Sequence, residues 1–299
     1  GVQTANGGIV LENSSSVTGN IYSNGPIVGS GSNLITGSAV SAGPTGSVTG
    51  VASGGSMYAH SISNSTVGGN AYYVSKTSTS VSGTSYPGSI DQATSSLPIT
   101  DDMITQFEAD ALTGGTYSTP CTINAPVTWT ARKITCATLI IKDTVTLSGM
   151  VWLTGNLEIS NSGNIRLDPS LGAQSAGFIV DNPSNRLTSS KIDIKNSATF
   201  TGSGTSGSFV LLLSQNNSAE LGGGEKAVEL ENSASGDILL YAAHGEVQIA
   251  NNAALKEVTA YRVHLKNSAN VTYTSGLANA LFVGSPSGSW KVLDWKEGQ

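Results

Sequence analysis

The stretch VHLKNSANVTY (263–273) decides how the rest of the chain is read. Val263 and Leu265 stand two apart, followed by Asn267, a serine and the small Ala269. The same order returns in IVLENS, HSISNS, LEISNS, IDIKNS, VELENS and VQIANN, around Asn13, Asn64, Asn161, Asn196, Asn232 and Asn251. Two positions before each Asn stands Ile or Leu. Four positions before stands Ile, Val or Leu, except for His60. Two positions after comes Ser15, Thr66, Gly163, Ala198, Ala234, Ala253 or Ala269, all small. Apolar residues at a period of two describe a strand with one buried face.

From Asn161 onward the Asn residues are spaced by 35, 36, 19 and 16. The first two intervals are near twice the last two, which defines a unit of about 16–20 residues of short strands and tight bends. With no helical period inside it, the unit predicts an all-β chain wound as a parallel β-helix solenoid, its rungs ~4.8 Å apart. The repeated Asn then has a structural role. It enters left-handed backbone geometry more readily than other non-glycine residues, and its amide bonds to nearby backbone. Strand parity places it on the inward face, where stacked amides would form a ladder. The rival reading is a row of Asn and Ser that presents a ligand surface.

Cys121 and Cys136 are the two cysteines, and their spacing of fifteen fits no zinc motif. They are either two buried thiols or a disulfide of an oxidising compartment. Fifteen residues is close to one unit, so adjacent rungs would bring the pair within bonding range, and a disulfide is expected.

LPITDDMITQFEADALTGG (97–115) breaks the strand pattern. It predicts a helix over 101–113, with Thr100 as its cap, Asp101 and Asp102 at the positive end, and Gly114 as the stop. Met103, Ile104, Phe107, Ala111 and Leu112 form its apolar stripe. A solenoid needs its open end covered, so this helix is expected to cap the rungs that follow. The domain reading is a Gly/Ser-rich β-helical segment over 1–75, a Ser/Thr-rich connector over 76–96, the capping helix over 97–115, and the main β-helix with a C-terminal cap over 116–299.

Composition excludes several functions. Charged residues make up 11% of the chain, against a usual ~25%, and the net charge is −6. No basic stripe is present to hold a nucleic acid. No apolar run reaches the ~20 residues of a membrane span. His60, His244 and His264 share no metal-ligand spacing, and no cofactor motif occurs. Glu225, Glu229 and Glu231 lie near a Gly-rich loop, but Glu229 and Glu231 flank an inward Leu230 and read as solvent-facing. Arg132, Arg166, Arg186 and Arg262 are scattered, so no catalytic residues are assigned. Trp290 and Trp295 read as part of the C-terminal cap or as a sugar-stacking surface. The outward positions of the repeat vary: His264, Gln248, Glu229, Asp193 and Glu158. Together with the two tryptophans, His264 and Gln248 make up the candidate binding surface.

Several segments in order carry a family resemblance: GGIVLENSSSVTGNIYSNGPI (7–27), SISNSTVGGNAY (61–72), 97–115, LTGNLEISNSGNIRLDPS (153–170), TGSGTSGSFVLLLS (201–214), residues 250–279 and SGSWKVLDWKE (287–297). The chain resembles bacterial surface β-helix proteins that begin with a pilin-like membrane helix, the type IV pilus-associated, minor-pilin-like family. The resemblance implies display at the bacterial cell surface, an anchor helix lying before Gly1, and other surface or pilus proteins, glycans or a host cell as partners. The TGNIYSNG turns are also loosely similar to the polymer-forming bactofilins, which would imply a cytoplasmic polymer. The expectation is a non-enzymatic, extracellular structural or adhesion module. The alternatives are a carbohydrate-active β-helix enzyme and an ice-binding solenoid. The latter needs a flat outward threonine array, and the outward positions beside the repeated Asn do not supply one.

Overall fold

The computed structural model describes residues 1–118, 120–160, 162–195, 197–231, 234–251, 254–255, 257–272, 281–283 and 289–291. These residues are mostly β-strand, with one α-helix, α1 (Asp101–Leu112), and a short 3-10 turn at Pro169–Leu171. The chain divides into two compact units. One comprises Pro98–Val247 with Ser275–Trp295; the other comprises Gly1–Leu97 with Gln248–Thr274 and Lys296–Gln299.

In the unit built on 98–247, each strand pairs in parallel with its counterpart one repeat further on. Thr138–Ile141 pairs with Asn156–Ile159, which pairs with Ile192–Ile194, which pairs with Lys226–Leu230. A second ladder runs through Arg132–Ile134, Val151–Leu153, Gln174–Val180, Val210–Ser214 and Ile238–Ala250. A third runs through Val127–Trp129, Thr144–Leu147, Asn164–Leu167, Thr199–Thr201 and Ser235–Gly236. The register stacks like on like. Leu139, Leu157, Ile192 and Val228 form one column, and Ile141, Ile159, Ile194 and Leu230 another. All eight are buried. The period-two pattern therefore fills a common interior.

The unit built on 1–97 repeats this scheme with smaller residues. Val258, Val2, Ile21, Ala39, Met57 and Ala71 stack in one buried column. Val271, Val17 and Ile35 stack in another. Val2–Glu12 is held on both sides: Val2 pairs with Val258 on one edge and Ile21 on the other. The first strand thus lies against residues 257–266, a closure that no local pattern foretells. The domain boundaries read from sequence are corrected here. Residues 248–274 belong with 1–97, and the expected connector 76–96 carries strands Ser80–Val81 and Ser85–Pro87. Beyond them the chain runs back across the strands: Tyr22 donates to the carbonyl of Ala93, Asn24 to that of Ser95 at 2.7 Å, and Gln3 to that of Ser96 at 3.2 Å.

Thr100 caps α1 by accepting from the Met103 amide at 3.3 Å. The stop differs from expectation. Thr113 is the C-cap, and Gly115, not Gly114, takes the positive φ of 93°. Gly114 is required for another reason: a Cβ there would lie 1.6 Å from the carbonyl oxygen of Ala131. The expected end cap is also corrected. α1 packs along the flank of three successive strands, Arg132–Ile134, Val151–Leu153 and Gln174–Val180. Phe107 is fully buried with its ring 5.7 Å from that of Phe282, whereas Leu112, expected in the apolar stripe, is 46% exposed. The helix seals a side of the interior because its stripe faces sideways onto the ladders.

Cys121 and Cys136 form a disulfide, their Cα atoms 5.8 Å apart. Each precedes or follows a strand of a neighbouring parallel pair: Thr116–Tyr117 pairs with Arg132–Ile134, and Thr122–Ile123 with Thr138–Ile141. No helix among the described residues is long and apolar enough to cross a membrane. We predict that denatured, unreduced protein takes up no alkylating reagent, while reduction frees two sites, as read by intact mass. Replacing both cysteines by serine should lower stability by about 3 kcal/mol, the loop-closure value for a fifteen-residue link, measured by urea denaturation.

Candidate functional site

The surfaces are set by the corners. Asn13, Asn64, Asn251 and Asn267 have φ of 50°, 49°, 54° and 54°. Ser14 and Ser268 follow with φ of 66° and 63°, so two left-handed residues in succession turn the chain. The next residue, Ser15 or Ala269, drops back into the interior. Asn161, Asn196 and Asn232 lie outside the described residues, but Ser162 and Ser197 beside two of them also have positive φ. The side chains of Asn13, Asn64 and Asn267 are exposed, which corrects the inward amide ladder. Strand parity fails at the corner because a left-handed residue rotates its side chain out of the pleat. One amide contact does form, outside: Asn13 Nδ2 donates to Asn267 Oδ1 at 3.3 Å.

In the unit built on 98–247, Glu158, Asp193 and Glu229 stack in register on successive strands. Lysines neutralise this face: Lys195 bonds Asp193 at 2.6 Å and Lys191 bonds Glu225 at 2.7 Å. A shallow groove of about 210 Å³ lies between them, lined by Lys191, Asp193, Glu225, Lys226 and Glu229. Its chemistry is that of fixed charges. The bond from Lys191 holds the Glu225 carboxyl below its ordinary range, and the bond to Asp193 lifts the Lys195 ammonium above its own. At Glu225 and Lys195 a protonated acid or a neutral amine, which glycoside hydrolysis or elimination would need, is therefore disfavoured.

A charged cluster with one buried member, Asp181, lies beside α1 in the same unit. Asp181 is fully buried and takes a bidentate fork from Arg186, at 2.8 and 2.7 Å. Glu108 of α1 faces it. Burial, together with the hydrogen bond and charge of Asp181, pushes the Glu108 carboxyl up to about 8. His244 bridges Asp101 of α1 at 3.0 Å and Glu220 at 2.5 Å. Burial lowers its pKa, but the bonds to the two carboxylates outweigh this and raise it. Such a constellation resembles an acid–base pair. Its position, with Asp181 sealed and forked, makes it a fastening for the helix.

The unit built on 1–97 presents a different chemistry. On one face, Thr272, Thr18 and Thr36 follow one another on successive paired strands, as do Thr66 and Ser80 further along. These five side chains are exposed, while Val271, Val17, Ile35 and Val67 between the outward positions are buried. On a second face, Ser47, Ser61 and Ser75 align, and beside them Thr49, Ser63 and Thr77. The hydroxyls of Thr49 and Ser63 are 3.0 Å apart. A third face carries Tyr58, Tyr72 and Tyr86, whose rings stack at 4.5 and 4.7 Å. Residues 1–97 contain Glu12, Lys76 and Asp91 as their only Asp, Glu, Lys or Arg.

Of the candidate surface residues, His264 lies on the strand Glu257–Lys266, 3.0 Å from Glu12. Gln248 is 5% exposed, so its outward reading is corrected. It sits in the long strand Ile238–Ala250, where Val247, Ile249 and Ala250 around it are also buried. Trp290 lies in the strand Ser289–Lys291, which pairs antiparallel with Leu281–Val283. Its side chain and all of Trp295 fall outside the described residues. Among the described residues no group of three or more His, Cys, Asp or Glu could hold a metal ion. The signal for the hydroxyl faces is present in sequence as SVT (16–18), SVT (47–49) and SIS (61–63), but these fall away from the conspicuous Asn repeat. No protein-family model matches the chain, and no curated protein and no solved structure matches it either.

The helix fastening makes stability depend on pH. Glu108 is raised from 4.5, so its contribution is complete below that value and is lost as pH rises through about 8. His244, raised from 6.5, acts in the same direction on the alkaline side of its ordinary value. Thermal stability should therefore fall between pH 4.5 and 8, and Glu108→Gln should flatten that fall, as read by melting curves across the range.

Proposed function

We propose that the parallel ladders wind as a β-helix and that the protein is a non-enzymatic structural or adhesion module of a bacterial surface or pilus-like assembly. The observation that carries this reading is the set of in-register outward faces on residues 1–97, almost free of charge. A face of that kind suits a neutral, extended partner, since it offers many hydrogen-bonding groups and few ionic ones. The fixed ion pairs of the groove around Asp193 add to the non-enzymatic reading. The disulfide fits an oxidising, extracytoplasmic location, and the resemblance to pilin-like surface proteins is consistent with it. Partners in this reading are other surface proteins and neutral glycans.

The test is retention of the purified protein on arrayed neutral glycans and on whole cells, run beside a turnover assay on soluble polysaccharides. Saturable retention with no new reducing ends or unsaturated products is expected. Sustained cleavage of any polysaccharide would overturn the proposal.

A further inference from the structure

The face built by Ser16–Thr18, Leu34–Ile35, Ala52–Ser53, Thr66–Val67, Ser80–Val81 and Asn270–Thr272 has a regularity that ordinary protein partners do not require. Successive rungs are ~4.8 Å apart, and outward side chains on one strand are about 6.7 Å apart. Thr272, Thr18 and Thr36 occupy one column, continued by Gly54 and Gly68; Asn270, Ser16, Leu34, Ala52, Thr66 and Ser80 make up the other. No Asp, Glu, Lys or Arg occupies an outward position of these strands.

We infer that this face binds ice. The inference rests on the surface-module reading above and names what the module recognises. Threonine is stiff at χ1, so its hydroxyl and methyl hold fixed places on a flat strand. Thr36 Oγ1 accepts from the Gly19 amide at 3.0 Å, which orients the hydroxyl and leaves its own proton for an outside acceptor. Thr272 Oγ1 bonds Asn270 Oδ1 at 3.4 Å on the same strand. Water over such a grid meets donors and acceptors at two regular spacings, close to the oxygen repeats of a crystal face of ice. Methyl groups between them order the first water layer without binding it. A charged side chain would impose its own hydration shell and hold a crystal off, and no outward position of these strands is charged.

Other ligands fit less well. A glycan chain is gripped by aromatic rings, and no outward position of these strands is aromatic. An anionic polymer needs clustered cations. An apolar partner needs a contiguous apolar patch, and Leu34, 44% exposed, adjoins only Ala52 among the apolar outward positions.

The experiment is ice-affinity partition of the full chain, with recrystallisation inhibition as a second readout. Wild type should concentrate in the ice fraction and keep crystals small. Thr18→Lys with Thr36→Lys should abolish both, while Glu158→Lys on the acidic face leaves them unchanged. Melting curves check each fold; if the double variant melts early, Thr18→Val decides, with weakened ice uptake expected. Wild type left in the liquid, or uptake indifferent to these threonine substitutions, would overturn the inference. Sedimentation with microcrystalline cellulose but not with ice would overturn it too, while leaving the surface-module reading intact. Failure of every retention assay would remove both.

Discussion

Two left-handed residues in succession, an Asn and then a Ser, are the constraint on which much of the structure depends. Left-handed geometry costs an ordinary L-residue roughly 1–2 kcal/mol, so it persists only where the surroundings repay it. At Asn13–Ser14 and Asn267–Ser268 the repayment is visible. The corner returns a small residue, Ser15 or Ala269, to the interior and sets the next strand in line with its neighbour. A larger residue there would collide with the packed columns, and a right-handed corner would send the strand elsewhere. The recurrence of Asn with a small residue two places on follows from these two requirements together.

Register then does the rest. Because equivalent residues stack, a single strand pattern is read out many times. Leu157 lies on Ile192, which lies on Val228, and the outward Glu158 lies on Asp193, which lies on Glu229. Stacking like on like is favourable for apolar groups and unfavourable for charges. The two units answer this differently. The one built on 98–247 interleaves lysines among its stacked carboxylates. Residues 1–97 of the other nearly dispense with charge and line their faces with hydroxyls.

How much of this was legible in the sequence follows from the range of each interaction. Strand phase was legible, since Val263 and Leu265 declare it locally. The Cys121–Cys136 link was legible because its span matches one repeat. The helix was legible from its cap and stripe, but not where it docks, since an apolar stripe does not say which wall it covers. The side chains of the repeated Asn were misplaced because parity does not survive a left-handed residue. The hydroxyl faces escaped notice because SVT is unremarkable once and meaningful only in register with its neighbours. The clasp of Glu108, Asp181 and Arg186 joins segments more than seventy residues apart and has no sequence signature.

The placement of Val2–Glu12 also bears on how the chain comes to be folded. Residue 2 pairs with residue 258, so Val2–Glu12 cannot complete its contacts until a strand made much later in the chain has emerged. Contacts of such long separation form slowly, because the loop must close before they are rewarded. Until then an edge of Val2–Glu12 stands open, and open edges recruit stray strands. That edge is therefore where a chain of this design is most open to stray pairing before residue 258 arrives.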